Sequence, residues 1–232
     1  MPSRAKLAIP HDPLDWRPQV ASTQRRQPVI KDPILEPQWT GRHVLAHFDV
    51  HAGGSGPPVR LIDEYGEDAT DEHPEILEQL THSILAVDAV LDGYLTAQAT
   101  QTGEGSAAIH TPRVHGSIIT PRRVEMEVEV KARSSRSDRS STVAFVAIDV
   151  LRLDGQALFD LPLLERKRLL DGLVQPTELV RISPYTRPPV GPWLTSWKSN
   201  GFPGAVSNAA NSRYRPDHRT DEWTVISKVR GR

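Results

Sequence analysis

Short stretches of strict alternation between apolar and polar residues dominate this chain. At residues 43–51 the even positions Val44, Ala46, Phe48 and Val50 are apolar, whereas His43, His47, Asp49 and His51 are polar. A period of two puts the two sets on opposite faces of an extended backbone, so this segment is predicted to be a half-buried strand. Residues 52–58, Ala-Gly-Gly-Ser-Gly-Pro-Pro, form a turn signal, and 59–62 is predicted as the returning strand of a hairpin. Residues 124–130 read Val-Glu-Met-Glu-Val-Glu-Val, a strand with one buried and one acidic face. Residues 142–153 are apolar enough for a central strand ended by Asp154-Gly155, and further strands are predicted near 204–206 and 223–229.

Helical spacing is rarer. Residues 71–91 are predicted as a helix capped by Thr70 or Asp71, with Pro74 in the first turn, where its missing N–H costs nothing. Ile76, Leu77, Leu80 and Ile84 give it one apolar face. Asp92-Gly93 is read as a turn leading to a strand from Tyr94. A second helix is expected over 161–170, closed by Gly172. Residues 131–141 contain almost no apolar side chain and are expected to be an exposed loop, a solvated hairpin tip or a contact for phosphates. Residues 1–30, rich in Pro, Gln and Arg, are expected to be a mobile or loosely docked arm, with 31–232 as one domain. Helices do not alternate regularly with strands, so the expected fold is α+β with mainly antiparallel sheets rather than a doubly wound parallel sheet.

Composition narrows the chemistry. The chain has no cysteine, which excludes disulfides, thiolate zinc sites and a cysteine nucleophile. No apolar run reaches the roughly 18 residues of a membrane helix, and the chain is read as cytoplasmic with no membrane partner. The net charge of -1 divides unevenly: residues 1–100 carry 8 Lys and Arg against 15 Asp and Glu, and residues 101–232 carry 20 against 14. The second part could hold a polyanion, although a dedicated nucleic-acid binder is usually more basic. There is no glycine-rich phosphate loop and no G-x-S-x-G elbow. His43, His47 and His51 lie four apart, which on a strand is about 13 Å per step, too far for one metal, so no metal site is expected. The five tryptophans, Trp16, Trp39, Trp193, Trp197 and Trp223, are read as packing residues.

Several motifs resemble those of bacterial ATP-dependent DNA ligases. Phe145-Val-Ala-Ile-Asp-Val-Leu-Arg-Leu-Asp-Gly155, followed by Leu161-Pro-Leu-Leu-Glu-Arg-Lys-Arg, resembles F-D-L-L-Y-L-D-G and L-P-L-x-E-R-R. Gly201-Phe-Pro-Gly-Ala-Val-Ser-Asn208 resembles G-x-E-G-V-V-A-K, and Tyr214-Arg-Pro-Asp-His-Arg219 with Glu222-Trp223 resembles Y-R-P-G-x-R and D-W-x-K-x-K. Asp92-Gly93-Tyr94 is similar to D-G-E. On that order His47-Phe48-Asp49-Val50 falls on K-x-D-G-x-R, and Asp63-Glu64-Tyr65-Gly66 on S-R-x-G. The resemblance runs over residues 40–229 and implies the ligase-type nucleotidyltransferase fold, without the OB domain that follows it in the family.

The resemblance implies ATP and Mg²⁺ as cofactors and DNA or a DNA-repair protein as partner, but the chemical residues depart from it. The lysine that attacks the α-phosphate becomes His47, the arginine of that motif Ala52, and the D-G-E glutamate Tyr94. The adenine-stacking aromatic becomes Ile148, the next motif's glutamate Pro203 and its lysine Asn208. The last two lysines become Val225 and Ser227. Nucleophile, metal ligand, base stacking and phosphate neutralisation are all affected, whereas Asp49, Asp92, Gly93 and Asp149 are retained. Two readings stay open. One is a non-catalytic ligase-like binding module with a vestigial pocket of His47, Tyr94, Ile148, Pro203, Asn208, Val225 and Ser227. The other is a DNA ligase relative in repair or recombination with unusual or partner-supplied catalysis, in which His47 forms a phosphoramidate. A lysine beside the pocket, from Lys31, Lys131, Lys198 or Lys228, would favour the second.

Overall fold

The computed structural model describes residues 9–23, 30–52, 56–99, 142–188 and 191–226. The strand expected at 124–130, the loop at 131–141, and Ser227, Lys131 and Lys228 lie outside the described residues. Two sheets form the frame. The larger runs β4 (Val59–Asp63), β3 (Arg42–Asp49), β5 (Asp88–Thr96), β6 (Ala144–Leu153) and β7 (Gln156–Ala157), all antiparallel, with β8 (Val180–Ile182) parallel to β6. The smaller has the order β1 (Val20–Ser22), β10 (Arg219–Ile226), β9 (Ala205–Ala209), β2 (Pro33–Pro37). Only the β1–β10 pair is parallel there. Three α-helices complete the described residues: α1 (Pro74–Ser83), α2 (Leu163–Leu173) and α3 (Gly191–Ser199). The fold is α+β with mostly antiparallel sheets, as its sequence pattern predicts, and no OB domain occurs among the described residues.

The larger sheet is covered on both faces. Val44, Ala46 and Phe48 of β3 pack with Leu61, Ile76, Leu80 and Leu91 in one core beneath α1. On the opposite face Leu45, Val90 and Leu151 pack with Ile34, Leu163, Tyr214 and Trp223 in a second core. The expectation of a wet face on β3 is therefore corrected: His43, Leu45 and His47 are all buried, and only Asp49 at the end is exposed. The smaller sheet and α2 occupy the space that alternation alone would assign to water.

Four other expectations change. Val20–Ser22 and the buried Trp16, which packs edge-on against Phe159 at 4.6 Å, tie residues 9–23 to the fold, where composition suggested a mobile or loosely docked arm. The first helix ends at Ser83, not 91, because Leu85 N–H is taken by Leu173 O and Val87 N–H by Asp154. The β-branched residues beyond it then favour the ladder of β5. Asp92-Gly93 is not a turn but the middle of β5. Glycine stands there because a Cβ would lie 2.5 Å from Val146 O and 2.6 Å from the Phe145 ring. The second helix runs through Gly172 to Leu173. Strand β2 carries proline at both ends, a pattern tolerated at a sheet edge, where β2 lies.

The crowding at Gly93 gives a direct test. Gly93→Ala forces β5 away from β6 and is expected to cost about 1–3 kcal/mol, the usual range for overpacking. Urea unfolding reads it, and an unchanged midpoint would show that β6 yields freely.

Candidate functional site

The two sheets meet along a line of buried charge. Glu36 of β2 and Asp149 of β6 belong to different sheets, and consecutive residues of α2 bind them. Arg166 grips Asp149 with two hydrogen bonds of 2.9 and 2.8 Å, both side chains fully buried. Lys167 Nζ donates to Glu36 Oε2 at 2.6 Å and also to Ile148 O. Asn208 Nδ2 donates to Glu36 Oε1 at 2.8 Å. Burial pushes both the Glu36 and the Asp149 carboxyls up, and the adjacent cations pull against it.

Above this line lies a cavity of about 200 Å³. Glu36, Gln38 and Trp39 line it from β2 and the residues after it, and His43, Tyr94 and Ile148 line it from β3, β5 and β6. Val206, Asn208, Arg219, Trp223 and Val225 line it from β9 and β10. The His43 ring stacks on Tyr94 at 4.3 Å, and its Nε2 lies 2.6 Å from Asp92 Oδ1. The Tyr214 hydroxyl donates to Asp92 Oδ2 at 2.6 Å and accepts from the Gln19 backbone N–H at 2.7 Å. Burial first and then the Asp92 carboxylate hold the Tyr214 phenol well above its ordinary value, so it remains a donor. Burial likewise pushes Tyr94 up, and it stays an uncharged phenol. Asp92 thus has the Tyr214 hydroxyl on one carboxylate oxygen and the His43 ring nitrogen on the other. Among the described residues no side chain hydrogen-bonds His43 Nδ1.

The structure brings together Tyr94, Ile148, Asn208 and Val225, four residues that the sequence placed in one pocket. Asp92 is buried directly behind His43. Pro203 is exposed and does not line the cavity, and Asp49 is exposed, accepting from the His51 backbone N–H. The placement of His47 is corrected. It sits four residues along β3 from His43, about 13 Å away on an extended strand, and lines a separate concavity of about 410 Å³ with Asp12, Arg60, Asp88 and Arg152. Burial, then Arg60 and Arg17, push its imidazole down to about 4.

Sequence reasoning missed Gln38, Trp39 and His43. The available signal was Gly41, which has φ +125 and whose added Cβ would lie 2.1 Å from Leu95 O. A glycine so required marks a fixed turn between β2 and β3, whereas the motif was placed on a stretch with Val50 at its glycine position. No lysine lines the cavity among the described residues: Lys31 and Lys198 are exposed, and Lys167 lies behind the wall, held by Glu36.

The sequence model of the ATP dependent DNA ligase domain matches residues 31–226, nearly the whole described fold. The chain belongs to the ATP-dependent DNA ligase domain family. A DNA ligase of Natronomonas pharaonis is 29% identical over 193 residues, which cover 82% of this chain and 31% of that protein. The multifunctional non-homologous end joining protein LigD of Mycobacterium bovis is 28% identical over 190 residues, 82% of this chain and 21% of LigD. The chain thus spans about a third or less of these relatives. The crystal structure of the ligase domain of M. tuberculosis LigD superposes with a TM-score of 0.61 at 21% identity, covering 93% of this chain and 60% of that domain chain. At that identity the likeness establishes the ligase adenylation fold. No helix among the described residues is long and apolar enough to cross a membrane.

Two outcomes follow from the buried charges of this ligase-family domain. Lys167→Met strands Glu36 and is expected to cost about 3–5 kcal/mol, while adding Glu36→Gln recovers much of it, because removing one partner costs more than removing both. A denaturant double-mutant cycle checks this, and equal, additive losses would dissolve the pair. His47 has a folded pKa of about 4 against an ordinary 6.5. Between those values the unfolded chain binds more protons, so stability falls as pH drops from 6.5 towards 4. The His47 share is about 3 kcal/mol at about 1.4 kcal/mol per unit. His47→Leu is expected to flatten that slope, and an unchanged profile from pH 7 to 4 would contradict it.

Proposed function

We propose that this chain is a diverged DNA ligase adenylation domain that does not carry out nucleotidyl transfer and acts as a binding module for DNA or a DNA-repair protein. One observation carries the reading: no primary amine faces the cavity among the described residues. The family pattern K-x-D-G-x-R reads on Gln38-Trp39-Thr40-Gly41-Arg42-His43 with only the glycine in register. Both ends of that stretch, Gln38 and His43, line the cavity. In this register the attacking lysine is Gln38, whose amide nitrogen is too weakly nucleophilic to attack phosphorus. The lysines that would neutralise phosphate charge are Asn208, Val225 and Ser227. Tyr94 replaces an acidic side chain that would orient a metal-bound nucleotide, and its phenol stays protonated.

Lys167, the amine nearest the cavity, is no substitute. Its Nζ is 2.6 Å from Glu36 and also bonds Ile148 O, so it is held behind the wall and does not line the cavity. Charge agrees: transition-state stabilisation in phosphoryl transfer is mostly cationic and metal-based, and Arg219 is the one permanent cation among the lining residues.

Incubation of the full chain with ATP labelled on the α-phosphate, with Mg²⁺ or Mn²⁺, is expected to leave the protein unlabelled. An acid-labile, alkali-stable labelled band would mark a phosphoramidate, on lysine or on histidine as peptide mapping decides. Either would overturn the reading.

A further inference from the structure

The second concavity, around His47, takes no part in the proposed function, yet it has the size and the polar floor of a ligand site. We propose that it binds a small organic oxyanion, a carboxylate or a phosphate, held by His47 and Arg152. The proposal does not depend on whether the domain transfers nucleotides.

The sheet builds the floor. His47 stands opposite Arg60 of β4 and Val90 of β5, and Val90 stands opposite Arg152 of β6. Residues directly opposite on a ladder share a face, so Arg60, His47, Val90 and Arg152 form one row across four strands and all line the concavity. The backbones of the two arginines lie three strand spacings apart, about 14 Å, and their long side chains narrow that gap from both ends. Pro13, Leu14 and Pro57 supply apolar walls. At about 410 Å³ the concavity falls within the usual range of small-molecule sites, whereas the cavity between the sheets, at about 200 Å³, falls below it.

The floor has unused hydrogen-bonding capacity. His47 is only 9% exposed, and its side chain makes no hydrogen bond among the described residues. Its Nε2 is enclosed, which leaves Nδ1 as the nitrogen towards the concavity that the ring lines. Arg152 binds Asp88 through Nε alone, and Arg60 binds Asp68 through Nη2 alone. The terminal fork of Arg152 is therefore left to grip a pair of oxygens. A guanidinium only donates, so the ligand must bring acceptors. The carboxylates of the lining are already engaged. Asp88 is held by Arg152, and Asp12 and Asp49, exposed at the rim, accept from the backbone N–H groups of Leu14 and His51. Next to burial, the charges that bear most on His47 are Arg60 and Arg17, ahead of Asp12 and Asp68, so the field at the floor is positive beneath an acidic rim. That field favours an anion that reaches the floor.

Calorimetric titration of the full chain with succinate, citrate and glycerol 3-phosphate, at an ionic strength fixed with chloride, tests this. At least one is expected to bind with a Kd below about 1 mM, and the comparison shows whether the site prefers carboxylate or phosphate. Uncharged glycerol is expected not to bind. Arg152→Lys keeps a cation beside Asp88 but removes the fork, and His47→Leu removes Nδ1; each is expected to weaken that anion about tenfold. The His47 ring signals, identified in NMR spectra by their loss in His47→Leu, are expected to shift during the titration, a readout that needs no altered residue in the site. No binding by any of the three at millimolar concentration, glycerol binding as well as its phosphate, an affinity unchanged in both variants, or a His47 ring unmoved at saturation would each overturn the proposal. None of these outcomes bears on the α-phosphate experiment, which tests the non-catalytic reading by itself.

Discussion

Everything in this fold hangs on how three buried carboxylates are neutralised. Glu36, Asp92 and Asp149 lie at the junction of two sheets, where an isolated charge would be costly. Two of them are met by neighbouring residues of one helix turn, Arg166 and Lys167, each reaching a different sheet. The third is met by His43 and Tyr214. Helix α2 thus joins the sheets by charge rather than by an apolar stripe: its buried residues include Arg166 and Lys167 beside Leu163, Leu170 and Leu173. A buried pair adds little net stability over an apolar substitute, but it strongly disfavours arrangements that leave one partner alone. That fixes the spacing between sheets, and with it the cavity that opens where they diverge.

On the proposed non-catalytic reading, the same arithmetic accounts for a chain that departs from the family at its reactive positions and still folds as a member of it. Gln38, Val225 and Asn208 stand at the cavity surface, where a neutral side chain removes chemistry without stranding a charge. Asp149 and Asp92 are set deeper and are paired, so replacing one alone would leave a cation or a donor unmatched. Lys167 could not be lost without exposing Glu36 to the same penalty. Scaffold polar groups and reactive polar groups are therefore under different constraints, even where they are neighbours on one strand, as Ile148 and Asp149 are.

Legibility in the sequence followed that division. Strands β3, β4, β6 and β10 were readable because alternation or apolar runs carry them, and α2 because a helical stretch closed by Gly172 was legible there. The overall α+β class came from those elements together. The first half of strand β5 was read as the end of a helix and the second as a new strand because Asp92-Gly93 has the composition of a turn, and only the distance to Val146 shows why glycine is needed in mid-strand. β1 and β2 were invisible: three residues and a proline-bounded five carry no period, and both are held by pairing with distant β10 and β9. Half of the site was legible through motif order, namely Tyr94, Ile148, Asn208 and Val225. In the register proposed at Gly41, the K-x-D-G-x-R motif lies nine residues earlier than the His47 placement, which took its anchor from His and Asp rather than from a turn glycine.

That displacement is instructive in physical terms. His43 and His47 share a strand, a face and nearly the same burial, and no local property of the sequence separates them. What separates them is the partner across the ladder. His43 stands opposite Tyr94, two residue pairs from Asp92 and on the same face, so its ring acquires a carboxylate and a stacking wall. His47 stands opposite Val90 and Arg60, so its ring meets an apolar side chain and a cation and is held uncharged. One histidine becomes a ring fixed in the wall of a cavity and the other a desolvated ring whose proton is unwelcome. The function of each is set by register, a property of two strands at once, and a reading of either strand alone could not assign it.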